Sequence, residues 1–204
     1  MSVPITKEQA YTAARWMKSN FLPSINNAVL GSPFPADLIC GIACQETAYF
    51  WLSFIKELPP EEVLKRCVLD ASGDFPNTKR SAFPRNTTVF RNNYGDDVTS
   101  QLIEEANLTR KLRGFKPAQW VYKGYGIFQY DLQHIKDDEV FFLEKQWYDF
   151  PYCLDRALLE LKRKYARTND LWAAVKSYNG SGPSATSYAN NVMQYTQYCS
   201  EIDF

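Results

Sequence analysis

Apolar residues recur at three- and four-residue intervals over most of the chain, which is the spacing of amphipathic helices. This pattern predicts an all-α fold. Because no convincing run alternates apolar and polar residues, it leaves room for a small hairpin at most. Helices are predicted near residues 6–20, 35–55, 60–69, 96–113, 131–137, 151–166, 169–178 and 185–199.

Capping residues mark several of the predicted helix ends. The predicted N-terminal caps are Thr6 with Gln9 as a capping box, Asp96, and either Asn169 or Asp170. The predicted stops are Gly114 and Asn179–Gly180.

A long loop is predicted between Leu69 and Gly95, where the chain is rich in Gly, Pro, Asn, Ser and Thr. Loops of this length in compact domains are usually functional or disordered. The spaced aromatic residues Phe75, Phe83 and Phe90 favour an ordered loop that packs on the rest of the domain.

The charges balance, with 23 Lys and Arg against 23 Asp and Glu, so the formal net charge is zero. A neutral chain exerts no long-range attraction on nucleic acid, anionic lipid or an anionic wall, and nucleic acid is not an expected partner. The most apolar segment is too polar at its centre for a membrane span. The N-terminal pattern is amphipathic and lacks the apolar region of a Sec signal.

Five scattered cysteines are unlike the dense, even set of a disulfide-stabilised secreted scaffold, and they predict buried reduced thiols. Cys40 and Cys44 are one helical turn apart, but no His lies near them. We therefore expect neither a metal nor a cofactor.

One carboxylate interrupts the most apolar predicted helix, residues 38–55. The helical stripe that contains Glu46 also holds Ile39, Ile42, Tyr49 and Ser53. Burial among such neighbours raises the pKa of a carboxyl group, which then can protonate a leaving-group oxygen as a glycosidase general acid does. A structural Glu satisfied by Arg or by backbone donors is the alternative, and the helix alone does not decide between them.

Three blocks contain the candidate chemistry, namely LICGIACQETAYF (38–50), GYGIFQYD (124–131) and AVKSYNGSGPSATSYANNVMQYTQYC (174–199). In this order they resemble goose-type lysozymes and the related SLT-type lytic transglycosylases. The first block is similar to the helix with the catalytic Glu, and the second to the Gly-x-Gly-Leu-Met-Gln-Val-Asp segment. The third is similar to the Ala-Tyr-Asn-Ala-Gly segment and the Tyr-Ala-Asn helix that follows it.

The resemblance implies a lysozyme-like helical fold and peptidoglycan glycan strands as the substrate. It implies that Glu46 is the proton donor and that Asp131 positions or deprotonates the attacking water. A helix N-cap is the structural alternative for Asp131.

The second block also suggests substrate contacts. Gly126 lets the backbone approach a ligand closely, with Ile127 beside it, and Gln129 offers both a donor and an acceptor for an N-acetyl or hydroxyl group. An ordinary turn is the alternative.

In the third block, Tyr178 and Asn179 stand at a predicted helix end, and by resemblance they contact the substrate. Tyr188 matches the Tyr of the final family helix, where it would stack on or hydrogen-bond a sugar. We favour Tyr178 over Tyr188, because a tyrosine on an amphipathic helix more often belongs to the core.

The first two blocks are farther apart here than in goose-type lysozymes, because about 80 residues separate Glu46 from the Gln of the second block. The excess predicts an insertion at about 57–118 within a single 1–204 domain. This insertion adds Asp70 and Asp74, either of which is an alternative base. A turn role is the favoured alternative for both.

Together these features predict a muramidase that hydrolyses the β-1,4 bond between N-acetylmuramic acid and N-acetylglucosamine. The alternatives are a lytic transglycosylase that leaves anhydro-muramic ends, a chitinase-like enzyme, and a non-catalytic glycan-binding module. Without a Sec signal, such an enzyme would be made in the cytoplasm and reach the wall or periplasm by another route. If it is a secreted toxin, an immunity protein is an expected partner.

Overall fold

The computed structural model describes residues 4–71, 73–76 and 85–203. Helices make up 68% of it, which confirms the predicted helical class, and a small three-stranded sheet goes beyond the hairpin that the sequence allowed for. Among the described helices, none combines the length and the apolar character that crossing a membrane requires. Part of the predicted long loop, residues 72 and 77–84 with Phe83, lies outside the described residues.

The helices are Lys7–Val29 (α1), Ala36–Glu46 (α2), Ala48–Trp51 (α3), Pro60–Lys65 (α4), Thr87–Leu112 (α5), Glu139–Leu143 (α6), Phe150–Thr168 (α7), Leu171–Asn179 (α8) and Gly182–Ser200 (α9). The strands are Val68–Ala71 (β1), Tyr122–Tyr125 (β2) and Tyr130–Asp131 (β3), and 3₁₀ turns cover Leu132–Lys136 and Gln146–Tyr148.

Several predicted caps are confirmed. The Thr6 hydroxyl accepts a hydrogen bond from the Gln9 amide at 3.3 Å, and the Gln9 side chain accepts one from the Thr6 amide at 2.8 Å. Asp170 caps α8 by accepting from the Ala173 amide at 2.6 Å. These local bonds explain why the two helix starts were readable from sequence.

The continuous helix predicted over 35–55 is wrong, because the backbone at Thr47 leaves the helical region with φ −139° and ends α2 at Glu46. The Thr47 hydroxyl is buried and accepts a 2.9 Å hydrogen bond from the Trp51 indole. The predicted apolar stripe therefore stops here, and Tyr49 beyond it is 48% exposed.

The predictions around the long loop are also corrected. The helix expected over 60–69 ends at Lys65 and gives way to β1, and α5 begins at Thr87, within the predicted loop, rather than near Asp96. Asn86 caps α5, while Asp96 follows a break at Gly95, whose φ is +83°.

Asp74 explains why the helix can begin in a Thr- and Asn-rich segment of low helix propensity. One Asp74 oxygen accepts hydrogen bonds from both the amide and the hydroxyl of Thr87, at 2.7 and 2.8 Å. The Thr87 hydroxyl in turn accepts from the Val121 amide at 2.9 Å. The contact with Asp74 has no local sequence signal, whereas Asn86, which accepts from the Val89 amide at 2.8 Å, is a local cap that the sequence analysis missed.

The chain divides into two compact units, Met1–Pro60 with Cys153–Phe204, and Glu61–Tyr152. In the first unit, α2 packs mainly against α9 and also against α1, and α8 packs on α9. In the second, β1, β2 and β3 form an antiparallel sheet in that order, with Leu69 opposite Gly124 and Gly124 opposite Asp131.

All five cysteines are buried and free, which confirms the predicted reduced thiols. Cys40 and Cys44 on α2 face Cys199 on α9, and contact with Cys199 together with burial raises the pKa of the Cys40 thiol. A raised thiol pKa makes the reactive thiolate scarce.

Candidate active site

Glu46 is the last residue of α2, and its side chain is half-buried. In the preceding turn of the helix, Ile42, Ala43 and Cys44 are buried, with Ile42 only 1% exposed, and Gln45 is half-buried. Glu46 thus lies where the buried part of α2 ends, and its side chain keeps some contact with solvent.

Tyr188 on α9 contacts this carboxyl group directly. Its hydroxyl donates a 2.6 Å hydrogen bond to Glu46 Oε1. Burial, then the charges of Glu46 and Tyr178, raise the pKa of Tyr188 well above its usual value, so the hydroxyl stays protonated and remains a donor.

The two tyrosines of the third block form a pair. Tyr178, on the last turn of α8, stacks on Tyr188 with 6.4 Å between ring centroids and 20° between planes. Tyr188 is buried and Tyr178 is half-buried. The Tyr188 hydroxyl thus links this aromatic pair to Glu46, a contact that the sequence did not predict.

Asn179 is exposed at the end of α8, and Gly180 follows it with φ +119° and open space around the position of a side chain. This conformation is one that L-residues with side chains rarely adopt. The glycine therefore stops α8 and keeps the backbone beside the tyrosine pair uncovered.

Sequence reasoning missed a polar aromatic group on the same two helices. The Trp172 indole on α8 donates a 2.9 Å hydrogen bond to the Asn190 side chain on α9, and Lys176 lies 5.4 Å from the centre of the Trp172 ring. The amphipathic pattern of α8 gave no reason to separate Trp172 from a core residue.

Close packing of α2 on α9 positions Glu46 relative to Tyr188. A Cβ added at Gly41 would lie 2.7 Å from Thr196 Oγ1, 2.9 Å from Thr196 N and 3.0 Å from Val192 O. Two of these atoms belong to the backbone, so relief of the clash requires α9 itself to move.

We expect Gly41→Ala to lower the free energy of unfolding by about 1–2 kcal/mol, because overpacking costs about 1–3 kcal/mol and the better helix propensity of Ala offsets up to about 1 kcal/mol. Urea unfolding followed by circular dichroism measures the change. Adding Thr196→Ala should recover only part of the loss, and unchanged stability in Gly41→Ala would contradict this packing.

In the second unit, the Gly-x-Gly block forms the hairpin between β2 and β3. Both hydrogens of the Gln129 amide are donated to main-chain carbonyls, of Gly126 at 2.9 Å and Cys67 at 3.2 Å. A Cβ at Gly124 would lie 2.1 Å from Gln129 Oε1, so only glycine leaves room for this side chain. Gly126 adopts φ +76°, and the Ile127 side chain is buried.

Asp70 and Asp131, two of the predicted candidate bases, both form ion pairs with Lys123. Lys123 Nζ on β2 lies 2.9 Å from Asp70 Oδ2 on β1 and 3.6 Å from Asp131 Oδ2 on β3. Asp131 Oδ1 accepts from the Gln133 amide at 2.9 Å, which is the predicted alternative of an N-cap. Lys123 was missed because four-residue strands are too short to show an alternating pattern.

The backbone of Asp70 has φ +63°, a left-handed conformation that is unfavourable for most side chains but tolerated by Asp. Its carboxylate is 52% exposed, whereas that of Asp131 is 24% exposed. Asp74, the third predicted alternative, is engaged at the start of α5 instead. Of the three candidate bases, Asp70 and Asp131 are thus the two whose carboxylates lie beside the same lysine on the sheet.

Within the described ranges, no three His, Cys, Asp or Glu side chains are grouped so as to hold a metal ion. Comparison with protein-family models, curated proteins and solved structures found no match to this chain.

Proposed function

We propose that this protein cleaves the glycan strands of peptidoglycan, with Glu46 as the general acid. The observation that supports this most directly is the half-buried carboxyl group at the end of an apolar helix, held by the Tyr188 hydroxyl at 2.6 Å. A carboxyl group in such partly dehydrated surroundings can carry a proton to a glycosidic oxygen.

The side chains near Glu46 suit a sugar. Tyr178 offers a half-buried aromatic ring backed by the buried Tyr188 ring, and Asn179 offers an exposed amide at the same helix end. Aromatic rings pack against the apolar faces of sugars while amides and hydroxyls bond to their edges. The resemblance of the three sequence blocks to goose-type lysozymes and lytic transglycosylases favours peptidoglycan as the glycan.

A hydrolase also needs a carboxylate that activates water. By the resemblance of the GYGIFQYD block, Asp131 is our first candidate for this role, and Asp70 is the alternative. A lytic transglycosylase needs no such group, because a hydroxyl of the muramic acid attacks internally. The products therefore distinguish the two reactions.

Digestion of purified peptidoglycan with product identification by mass spectrometry tests the proposal. We expect muropeptides with reducing N-acetylmuramic acid ends, and an Asp131→Asn rate lower by about 10²–10⁴-fold. Asp70→Asn should lower the rate less. Asp155→Asn, which changes an exposed aspartate on α7, is the matched control.

Each other outcome has a definite meaning. Anhydro-muramic ends would replace the hydrolase with a lytic transglycosylase. Cleavage of chito-oligomers but not of peptidoglycan would indicate a chitinase-like enzyme. Binding to the cell wall without cleavage would indicate that the protein is a non-catalytic glycan-binding module.

A further inference from the structure

The second unit has a surface where cations and exposed aromatic rings are combined. We define this basic–aromatic surface by Phe75, Arg110, Arg113, Phe115, Lys116 and Trp120. Phe75 is 54% exposed and Phe115 is 48% exposed, although each is a large apolar side chain. Exposed aromatic residues grouped together are unusual on a protein surface that contacts only water.

The zero net charge of the chain conceals a local excess of positive charge. Residues 106–130 contain five Lys and Arg and no Asp or Glu, and four of the five lie within residues 110–116. The fifth, Lys123, is paired with Asp70. Because salt screens charges beyond about 8–10 Å, a partner in contact with this surface responds to these cations rather than to the net charge.

The surface is held in place by its own contacts. Arg110 donates to the Lys116 carbonyl at 2.8 Å and to the Tyr122 hydroxyl at 3.0 Å. The Asn107 side chain bonds to both the amide and the carbonyl of Ala118, at 2.9 and 3.1 Å. These hydrogen bonds thus hold the segment after α5 in a conformation that leaves the Phe115 side chain exposed to solvent.

The turn at Gly114 places the Phe115 ring next to the guanidinium groups of Arg110 and Arg113. Gly114 has φ +73°, and the Phe115 amide donates back to the Arg110 carbonyl at 2.8 Å. The Arg113 and Arg110 guanidinium carbons lie 4.9 and 5.7 Å from the centre of the Phe115 ring. Arg110 also lies 5.2 Å from the Trp120 ring, which Phe75 contacts edge-on.

Helix electrostatics accounts for only part of this arrangement. Cations at the C-terminal end of α5 are favourable with the helix dipole, which explains Arg110 and Lys111. The dipole gives no reason for two exposed phenylalanines, nor for Lys116 beyond the helix. A partner that is both anionic and apolar explains all of these features.

We propose that the basic–aromatic surface binds anionic phospholipid bilayers peripherally. At a bilayer surface the Lys and Arg side chains meet phosphate headgroups while aromatic side chains enter the boundary with the acyl chains. Nucleic acid is the less suitable partner, because a base stacks on a ring face and the two guanidinium groups already lie over Phe115.

Co-sedimentation with vesicles tests this proposal. We expect binding to phosphatidylcholine vesicles that contain phosphatidylglycerol, weaker binding at high salt, and little binding to phosphatidylcholine alone. Lys116→Gln should lower the partition coefficient about fivefold. Phe115→Ala should lower it by about three- to tenfold, according to the apolar area that an exposed ring would bury.

Two exposed residues of α7 provide matched controls, Lys162→Gln for the charge change and Leu159→Ala for the apolar change. Neither should alter the partition coefficient, and thermal unfolding checks that every variant is folded. Equal binding to both vesicle types, or binding unaffected by Phe115→Ala and Lys116→Gln, would overturn the proposal. So would binding to single-stranded DNA but not to anionic vesicles. The assay requires no glycan cleavage, so its result is independent of the proposed function.

Discussion

The Glu46→Gln variant is expected to cleave peptidoglycan about 10²–10⁴-fold more slowly than the unmodified protein. Glutamine has nearly the same shape and can still accept the hydrogen bond from Tyr188, but its amide cannot donate a proton as a carboxylic acid does. The rate of release of soluble muropeptides from purified wall measures the loss. Because the substitution preserves shape, little change in stability should accompany it.

Two further variants separate proton donation from structural support. Tyr188→Phe removes the hydroxyl that holds Glu46 Oε1, and we expect a smaller loss of roughly 10–100-fold, because the acid itself remains. Glu57→Gln changes an exposed glutamate of the same unit and should leave the rate unchanged. Cleavage at a normal rate by Glu46→Gln would refute its role as the acid.

Replacing Glu105 with Gln should lower the free energy of unfolding by about 3 kcal/mol, the largest stability effect that we expect. Glu105 is 2% exposed on α5, and its Oε1 lies 2.8 Å from Lys145 Nζ. Arg66 Nη2 lies 3.6 Å from Oε2, which is an ion pair too long for a good hydrogen bond. Removing the carboxylate leaves these cations without their buried counter-charge, which typically costs about 3–5 kcal/mol.

The lower end of that range is expected because Lys145 is 34% exposed and can regain water, whereas Arg66 is 12% exposed and cannot do so readily. Urea unfolding followed by tryptophan fluorescence measures the change. Glu104→Gln alters the adjacent but exposed residue and should change stability by less than about 0.5 kcal/mol. If the two variants were equally stable, the buried ion pair would have no structural role.

Sequence reasoning was most accurate where the determining interactions are local. The capping box at Thr6, the Asp170 cap of α8 and the stop after Asn179 all depend on residues within a few positions of one another. The all-α class followed from apolar spacing over many residues. Such features need no knowledge of the rest of the chain.

Sequence reasoning failed where distant residues decide the backbone. The start of α5 combines the local cap Asn86 with a contact to Asp74, 13 residues before Thr87. The sheet depends on strands that are too short to show a period. The break after Glu46 accompanies a buried hydrogen bond between Thr47 and Trp51, within an apolar run that looked like one helix.

For the candidate site, the sequence identified Glu46 as an unusual carboxylate in an apolar helix, and the Tyr-Asn-Gly segment as a helix end. It favoured Tyr178 over Tyr188 as a substrate contact and did not predict that the Tyr188 hydroxyl donates to Glu46. That hydrogen bond depends on the close approach of α2 to α9 at Gly41. Likewise, the sequence did not predict that Asp70 and Asp131 pair with the same lysine, because they are 61 residues apart.

The amino-acid sequence by itself determined the helical class, several helix ends, the reduced state of the cysteines and the carboxylate of interest. Periodicity and capping are short-range properties, and burial of scattered thiols follows from composition and spacing. Only the tertiary structure decided that the Tyr188 hydroxyl donates to Glu46, where the strands pair and which carboxylates share Lys123. These depend on contacts between residues far apart in the chain, whose free energy is gained only when the helices and strands pack together.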